Sequence, residues 1–437
     1  MSVVDTLIAS LRATCDSFPD VRTGSNLTFK NMADFGMAAF SVFHTQNASF
    51  LERQRLLAEG HGVSNCNTLY GMAAIPTDNH IRTMLDPVDT KLLDPVFGTV
   101  LGTLTSHGVM DQFQCLGGHT LVALDGTEYH ASYKVHCANC SHRLTGSSKD
   151  KPGSGTIQYF HTMVSPVLVG LGHDNVVPLP PEFIVPQDGH EKQDCEPVAA
   201  IRWLGARAGE MAPLRPLYLG DDIYSRQPLC QAVLAAGADF LFTAKETTHK
   251  LIYEYVSGAA DMPSLTEVTG IGAKARRWEY RWLNKVPLRD GSDALTVDFV
   301  EVRVFGPKGR QTYHNSWVTS LGVTRSNVAE VATAGRARWK TENGNFNVLK
   351  TKGYNLEHNF GHGKKNLSSV FACMNLLAFA MHTVCLMLDD KWQRALKVQG
   401  SRKNFFNMLR AAVWFFVFPS WDALLAKLTC ARSPPRA

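Results

Sequence analysis

Two apolar runs, each ending in aspartate, limit what this chain can fold into. "TLVAL" (120–124) leads into Asp125 and Gly126, and "LYLG" (217–220) leads into Asp221 and Asp222. Around them lie the strand-like stretches "HTLVALDGTEYHASYKV", "IQYFHTMVSPVLVGLG" and "VVPLPPEFIV", then the helical "CEPVAAIRWLGARAG". The strand "RPLYLGDDIY", the helix "QPLCQAVLAAGA" and the strand "FLFTAKE" complete the series. Strands alternating with helices in this order imply an α/β sheet with parallel pairings. Ligands collect at strand ends in such sheets, so Asp125 and Asp221 are candidate functional residues. Taken singly, each is equally at home as a turn residue or a helix cap.

The flanks have a different character. Residues 1 to about 110 have apolar recurrence at three and four residues, as in "MADFGMAAFSVF" and "SFLERQRLLAEG", and are expected to be helical. Residues 250–322 break the strand–helix alternation and predict a β-rich insertion with hairpin turns at "RDGSD" and "GPKGR". A long helix is expected from about Asn327 to Lys350. "LSSVFACMNLLAFAMHTVCLML" (367–388) has the length and apolarity of a membrane span, but Ser368, Ser369, Asn375 and His382 favour a helix buried in protein, so no membrane partner is expected. "ARSPPRA" is expected to fray. A chain of 437 residues with 45% hydrophobic and 19% charged residues is not a disordered one. The ten cysteines, with no basic leader in "MSVVDTLIAS", fit free thiols in a reducing, cytoplasmic compartment. A net charge of +5 is a weak pointer to a polyanionic partner.

The densest chemistry lies in "RARWKTENGNFNVLKTKGYNLEHNFGHGKKN" (336–366), where Arg338, Lys340, Lys350 and Lys352 surround Glu342. Carboxylates that converge without counter-charge repel, so they share a proton or a metal. Hard oxygens suit Mg2+ or Mn2+, and two such ions can stabilise the attacking and leaving oxygens of a phosphoryl transfer. Arg338, one helical turn before Glu342, would face the same place and could grip phosphate. The plain reading of that pair is a solvated ion pair. Trp339 and Phe346 read first as core aromatics.

Taken in order, "LVALDGTEYHAS", "LYLGDDIYSRQP" and "RWKTENGNFNVLKTKGYNLEH" resemble the DDE transposases of bacterial insertion sequences, in particular the class with a Tyr, Arg, Glu, Lys signature and a β-rich insertion. The resemblance covers roughly 118 to 385 and implies an RNase H-like mixed sheet flanked by helices, with helical N- and C-terminal regions. It implies catalytic, metal-holding roles for Asp125, Asp221 and Glu342, with two Mg2+ or Mn2+ ions. It implies DNA contacts by Arg338 and Lys350, with Lys352 or Lys340 as substitutes for the latter. Trp339 could pack or stack on a base, and Lys364 in "HGKK" could touch DNA. Gly335 stands where the signature has Tyr, and seven residues instead of six separate Glu342 from Lys350, which on a regular helix turns the lysine by about 100°. The implied partners are the element's terminal inverted repeats and target DNA, bound by paired protomers in the bacterial nucleoid. The implied division is 1–115 as a helical, DNA-binding N-terminal region, 116–249 and 323–388 as the two parts of the catalytic domain, 250–322 as the insertion, and 389–437 as a basic helical tail. In that tail Lys391, Arg394, Lys397, Arg402, Lys403 and Arg410 are available to a DNA backbone or a second subunit.

Other constellations compete. Asp222 rivals Asp221, although Asp221 keeps the family's spacing to Tyr224. Asp194 and Glu196 in "KQDCE" read as helix-start acids, and an unrelated hydrolase could pair Asp194 with Asp222. A catalytically silent, DNA-binding descendant of a transposase is the other alternative. Cys137, Cys140 and His142 in "VHCANCSH" have a metal-knuckle spacing, but structural zinc needs a fourth ligand. His161 and Cys195 are distant in sequence, so a metal-free turn is the stronger expectation. "HNFGH" (358–362) has zincin-like histidines but lacks the glutamate base and contains Gly361, which excludes a metalloprotease.

Overall fold

The computed structural model describes residues 2–23, 31–59, 61–146, 155–186 and 194–429. The expected frayed end, 431–437, lies outside them. Among the described residues six α-helices come first: α1 (Val3–Asp16), α2 (Met32–His44), α3 (Phe50–Ala58), α4 (Gly62–Tyr70), α5 (Asp78–Leu85) and α6 (Asp94–Ser106). α2 is buried on every face, as its alternation of Ala, Met and Phe with few polar residues requires.

Strands β1 (Gln114–Cys115), β2 (His119–Ala123), β3 (Gly126–Ser132), β4 (Ser141–Thr145), β5 (Thr156–Val164), β6 (Val167–Val169), β7 (Val176–Pro178) and β8 (Glu182–Ile184) follow. Then come α7 (Glu196–Met211), β9 (Pro216–Gly220), α8 (Gln227–Ala235), β10 (Asp239–Thr243) and α9 (Lys250–Gly258). β2, β6 and β7 pair antiparallel, while β9 and β10 run parallel to β2, giving the order β7-β6-β2-β9-β10. Three antiparallel strands extended by two parallel ones form a mixed sheet flanked by helices, as expected. The central strands are buried on both faces, which is why they read as continuous apolar runs. Between β2 and β6 the chain makes a second, four-stranded sheet, β3-β5-β4 with β8 on β5.

The insertion is built from β11 (Ser264–Thr269), β12 (Arg276–Pro287), β13 (Thr296–Phe305) and β14 (Gln311–Thr319). Its two long hairpins turn at the sites expected from "RDGSD" and "GPKGR". β14 pairs antiparallel with β10, so the insertion prolongs the main sheet to ten strands, counting β1 on β2.

α10 (Val328–Arg336) and α11 (Asn347–Thr351) replace the single helix expected over 327–350. Between them lie a tight turn at 337–338 and a π-helical turn over Thr341–Phe346. The interruption has physical causes. Gly335 lies flat on Trp317, where a Cβ would approach the indole to 2.6 Å, and Thr341, Asn345 and Phe346 must all be buried. A Cβ at 335 would collide with that indole. The π turn absorbs one extra residue. Lys350 is thereby rotated back toward the angle that a six-residue spacing would give it.

α12 (Leu367–Leu388) is long and apolar enough to cross a membrane, but 89% of its most apolar stretch is buried inside the protein. It is the axis on which both ends of the chain pack. His382 on α12 accepts from Tyr354 Oη through Nδ1 (2.7 Å) and donates from Nε2 to the carbonyl of His44 on α2 (3.0 Å). The C-terminal helices α13 (Asp390–Gln399), α14 (Arg402–Phe415) and α15 (Trp421–Leu428) close over the same region, with Trp421 against His44 and Tyr70. Two of the tail's basic residues are consumed by this packing. Arg410 donates to the carbonyls of Thr45 and Gln46 (2.8 Å each), and Arg402 lies over Tyr354 and Phe379.

Candidate active site

β2 and β9 are neighbouring parallel strands in which Ala123 pairs with Leu219. Asp125 and Asp221 each stand two residues beyond that pair, so they leave the sheet side by side at its carboxyl edge, on strands spaced about 4.8 Å apart. Asp221 is fixed by its own turn, its Oδ1 accepting from the amide of Ile223 (2.9 Å). Asp125 Oδ1 accepts from the amide of Gly126 (3.0 Å).

The interrupted helix brings its residues to the same edge. Arg338 Nη2 donates to Glu342 Oε1 (2.8 Å) and Nη1 to Asp125 Oδ2 (3.4 Å), so one guanidinium bridges the first and third acids. Glu342 is 56% exposed and Asp125 17%, which places the group at the floor of an open surface. Burial pushes the Asp125 carboxyl up to about 7. Arg338 opposes the shift, and the charges of Glu196, Asp221 and Glu342 add to it. Three carboxylates thus act on Asp125 against one cation. That surplus of negative charge around buried oxygens is the condition a divalent cation relieves, and the donor set, hard carboxylate oxygens alone, suits Mg2+ or Mn2+.

Glu196 was expected to be a helix-start acid. It does open α7, but it also closes over Gly126, where a Cβ would approach its Oε2 to 2.3 Å, and it accepts from Tyr224 Oη (2.6 Å). Burial raises its pKa, the Tyr224 hydrogen bond opposes the rise and Asp221 adds to it. The glycine after Asp125 was the available signal, since a bare α-carbon beside a carboxylate marks a close approach.

The competing acids are occupied elsewhere. Asp222 accepts from the Lys245 amide (2.8 Å) and Thr248 Oγ1 (2.6 Å) beneath Arg226, so it ties β9 to the turn after β10. Asp194 accepts from the Val185 amide (3.1 Å) and pairs with Arg202. Neither meets the other, and the Asp194–Asp222 hydrolase reading falls.

The cations also separate. Lys340 is buried and donates from Nζ to the carbonyls of Gly170 (2.7 Å) and His173, so it holds the helix to the sheet and cannot stand in for Lys350. Lys350 pairs with Glu357 (2.7 Å), while Lys352 and Lys364 are exposed. Trp339 is 48% exposed, contrary to the core position preferred for it, whereas Phe346 is buried. The backbone amides of Lys364, Lys365 and Leu367 are all held by Asp86, which orders the "HGKK" turn and leaves both lysine side chains in solvent.

The cysteine turn differs most from expectation. Cys137 and Cys140 are joined by His161 and His362, and neither His142 nor Cys195 takes part.

No family model matches the chain, and no curated protein matches it. Among solved structures it is similar to the "Cryo-EM structure of piggyBac transposase synaptic complex with hairpin DNA (SNHP)". The two are 10% identical with a TM-score of 0.39, over 99% of this chain and 81% of that one.

Proposed function

We propose that this chain is a DDE transposase of the insertion-sequence type, with Asp125, Asp221 and Glu342 as its catalytic, metal-holding acids. The reading rests on one observation: these residues, from two strand ends and a helix far apart in sequence, meet at one edge of an RNase H-like sheet, with Arg338 bridging two of them. A pair of Mg2+ or Mn2+ ions held there would supply a nucleophilic oxygen at neutral pH and stabilisation of the leaving oxygen. The chain's own residues do the positioning. Arg338 balances Asp125 and Glu342 at rest, and its guanidinium becomes available to a phosphate oxygen when their charge is otherwise neutralised. Trp339, exposed beside it, offers a face on which an unpaired base can stack. Lys350, Lys352 and Lys364 add sequence-independent attraction to the backbone.

The reaction is hydrolysis followed by strand transfer. Water displaces one strand at the element's end and leaves a 3′ hydroxyl. That hydroxyl then attacks a phosphodiester of target DNA, so one P–O bond forms as another breaks and no covalent enzyme intermediate is needed. Paired protomers on two terminal inverted repeats, in the bacterial nucleoid, complete the proposal. The test is cleavage of linear DNA carrying the gene's flanking repeats, with Mg2+ or Mn2+, by the wild type and Glu342→Gln. Metal-dependent cuts at the repeat boundary that vanish in the variant are expected. Specific binding without cleavage by either protein would point instead to a silent DNA-binding descendant.

A further inference from the structure

The Cys137–Cys140 turn joins β3 to β4, His161 lies on the adjacent β5, and His362 comes from the loop between α11 and α12. Three of the four residues are buried: Cys140, His161 and His362 are 8%, 4% and 5% exposed. The sulfurs are 3.9 Å apart, far beyond the roughly 2.05 Å of a disulfide. The sulfur–nitrogen separations are 3.5 Å (Cys137 to His161), 3.3 Å (Cys140 to His161) and 3.3 Å (Cys140 to His362), and the two Nε2 atoms are 3.1 Å apart. A tetrahedral zinc with Zn–S of about 2.3 Å and Zn–N of about 2.0 Å has edges of roughly 3.8 Å between sulfurs, 3.5 Å between sulfur and nitrogen and 3.3 Å between nitrogens. All four ligand atoms lie within 4.8 Å of one another. The cluster therefore has the size of an empty zinc tetrahedron.

The surroundings fit as well. The Nδ1–H of His362 donates to the carbonyl of Gly363 (3.1 Å), which leaves its Nε2 lone pair facing the cluster. The amide of Cys137 donates to Cys140 Sγ (3.4 Å), the kind of contact that steadies a thiolate. The two imidazole Nε2 atoms and the two sulfurs all face one buried point, where a cation would be held by four bonds.

We infer that Cys137, Cys140, His161 and His362 form a structural zinc site, with four protein ligands and none left open for substrate. Such a site takes both cysteines as thiolates, so whatever thiol proton they carry is released to solvent. The site joins the small sheet that begins directly after Asp125 to the loop that follows the helix of Glu342. It is separate from the carboxylate site in both place and donor chemistry, and does not depend on the transposase reading.

The test is metal content of the purified full-length chain after dialysis. About one zinc per chain is expected. Cys140→Ser and His362→Asn should lose it, whereas His142→Asn, Cys195→Ser and Asp125→Asn should retain it. Should the ligand variants fail to fold, reconstitution of the wild type with cobalt(II) decides the matter. The expected spectrum has the visible bands of a tetrahedral ion together with a thiolate-to-cobalt charge-transfer band, which strengthens in His362→Cys. Folded wild type without stoichiometric zinc or a cobalt–thiolate spectrum would overturn the inference, as would zinc retained by both Cys140→Ser and His362→Asn.

Discussion

Replacing Asp125 by Asn should stabilise the metal-free protein, and by more at high pH than at low. In the folded chain burial lifts this carboxyl from the ordinary 3.8 to about 7 despite Arg338. An acid whose folded pKa is raised binds more protons folded than unfolded, so it weakens the fold progressively between pH 3.8 and 7 and by a constant amount above. Each pH unit in that window is worth about 1.36 kcal/mol. At pH 5 part of the penalty is already present, and two further units to pH 7 add about 2.7 kcal/mol. Asn escapes the charge and can keep the 3.0 Å hydrogen bond from the Gly126 amide. A chain of 437 residues has an unfolding entropy near 0.9 kcal/mol/K at about 2.1 cal/mol/K per residue, so the difference corresponds to about 3 °C. Thermal unfolding of both proteins in EDTA at pH 5 and pH 8 measures it: the advantage of Asn over Asp should grow by about 3 °C. Added Mn2+ should then raise the wild-type Tm at pH 8 and leave Asp125→Asn unmoved. An advantage independent of pH, or a variant destabilised by pH 8, would show that Asp125 does not carry uncompensated charge.

Gly335→Tyr should lower Tm and soluble yield because the indole of Trp317 occupies the space; overpacking of this kind costs about 1–3 kcal/mol or more, and an unchanged Tm would refute the close contact. Lys340→Met should destabilise the protein by leaving the Gly170 and His173 carbonyls unpaired, at about 1–3 kcal/mol, whereas Lys364→Ala should leave Tm unchanged. In a DNA-binding titration against salt, Lys364→Ala should lower the slope by about one unit, and an unaltered slope would remove Lys364 from the interface.

The two aspartates were legible because each follows an apolar run, and neighbouring parallel strands place equivalent ends together. Glu342 and Arg338 were legible as a pair from their four-residue spacing. What the pair faces depends on Asp125, more than two hundred residues away. Whether Lys340 points to phosphate or into the sheet is decided by two carbonyls of the segment before β7, which no local pattern announces. The π turn has the same origin: a continuous helix is the local preference, and burial of Thr341, Asn345 and Phe346 overrides it. Cys137 and Cys140 declared themselves by spacing, but His362 was read with His358 as a sequence-local motif. Its true neighbours arrive from another sheet.

The ladder between β10 and β14, with Leu241 opposite Thr319 and Thr243 opposite Trp317, makes the insertion mechanically continuous with the strands that end at Asp125 and Asp221. Four strands beyond β10 extend about 19 Å at the usual spacing. This arm cannot swing as an independent lobe without breaking backbone hydrogen bonds along its root. Force applied at its tip is therefore carried sideways through the sheet toward the strands that end at Asp125 and Asp221.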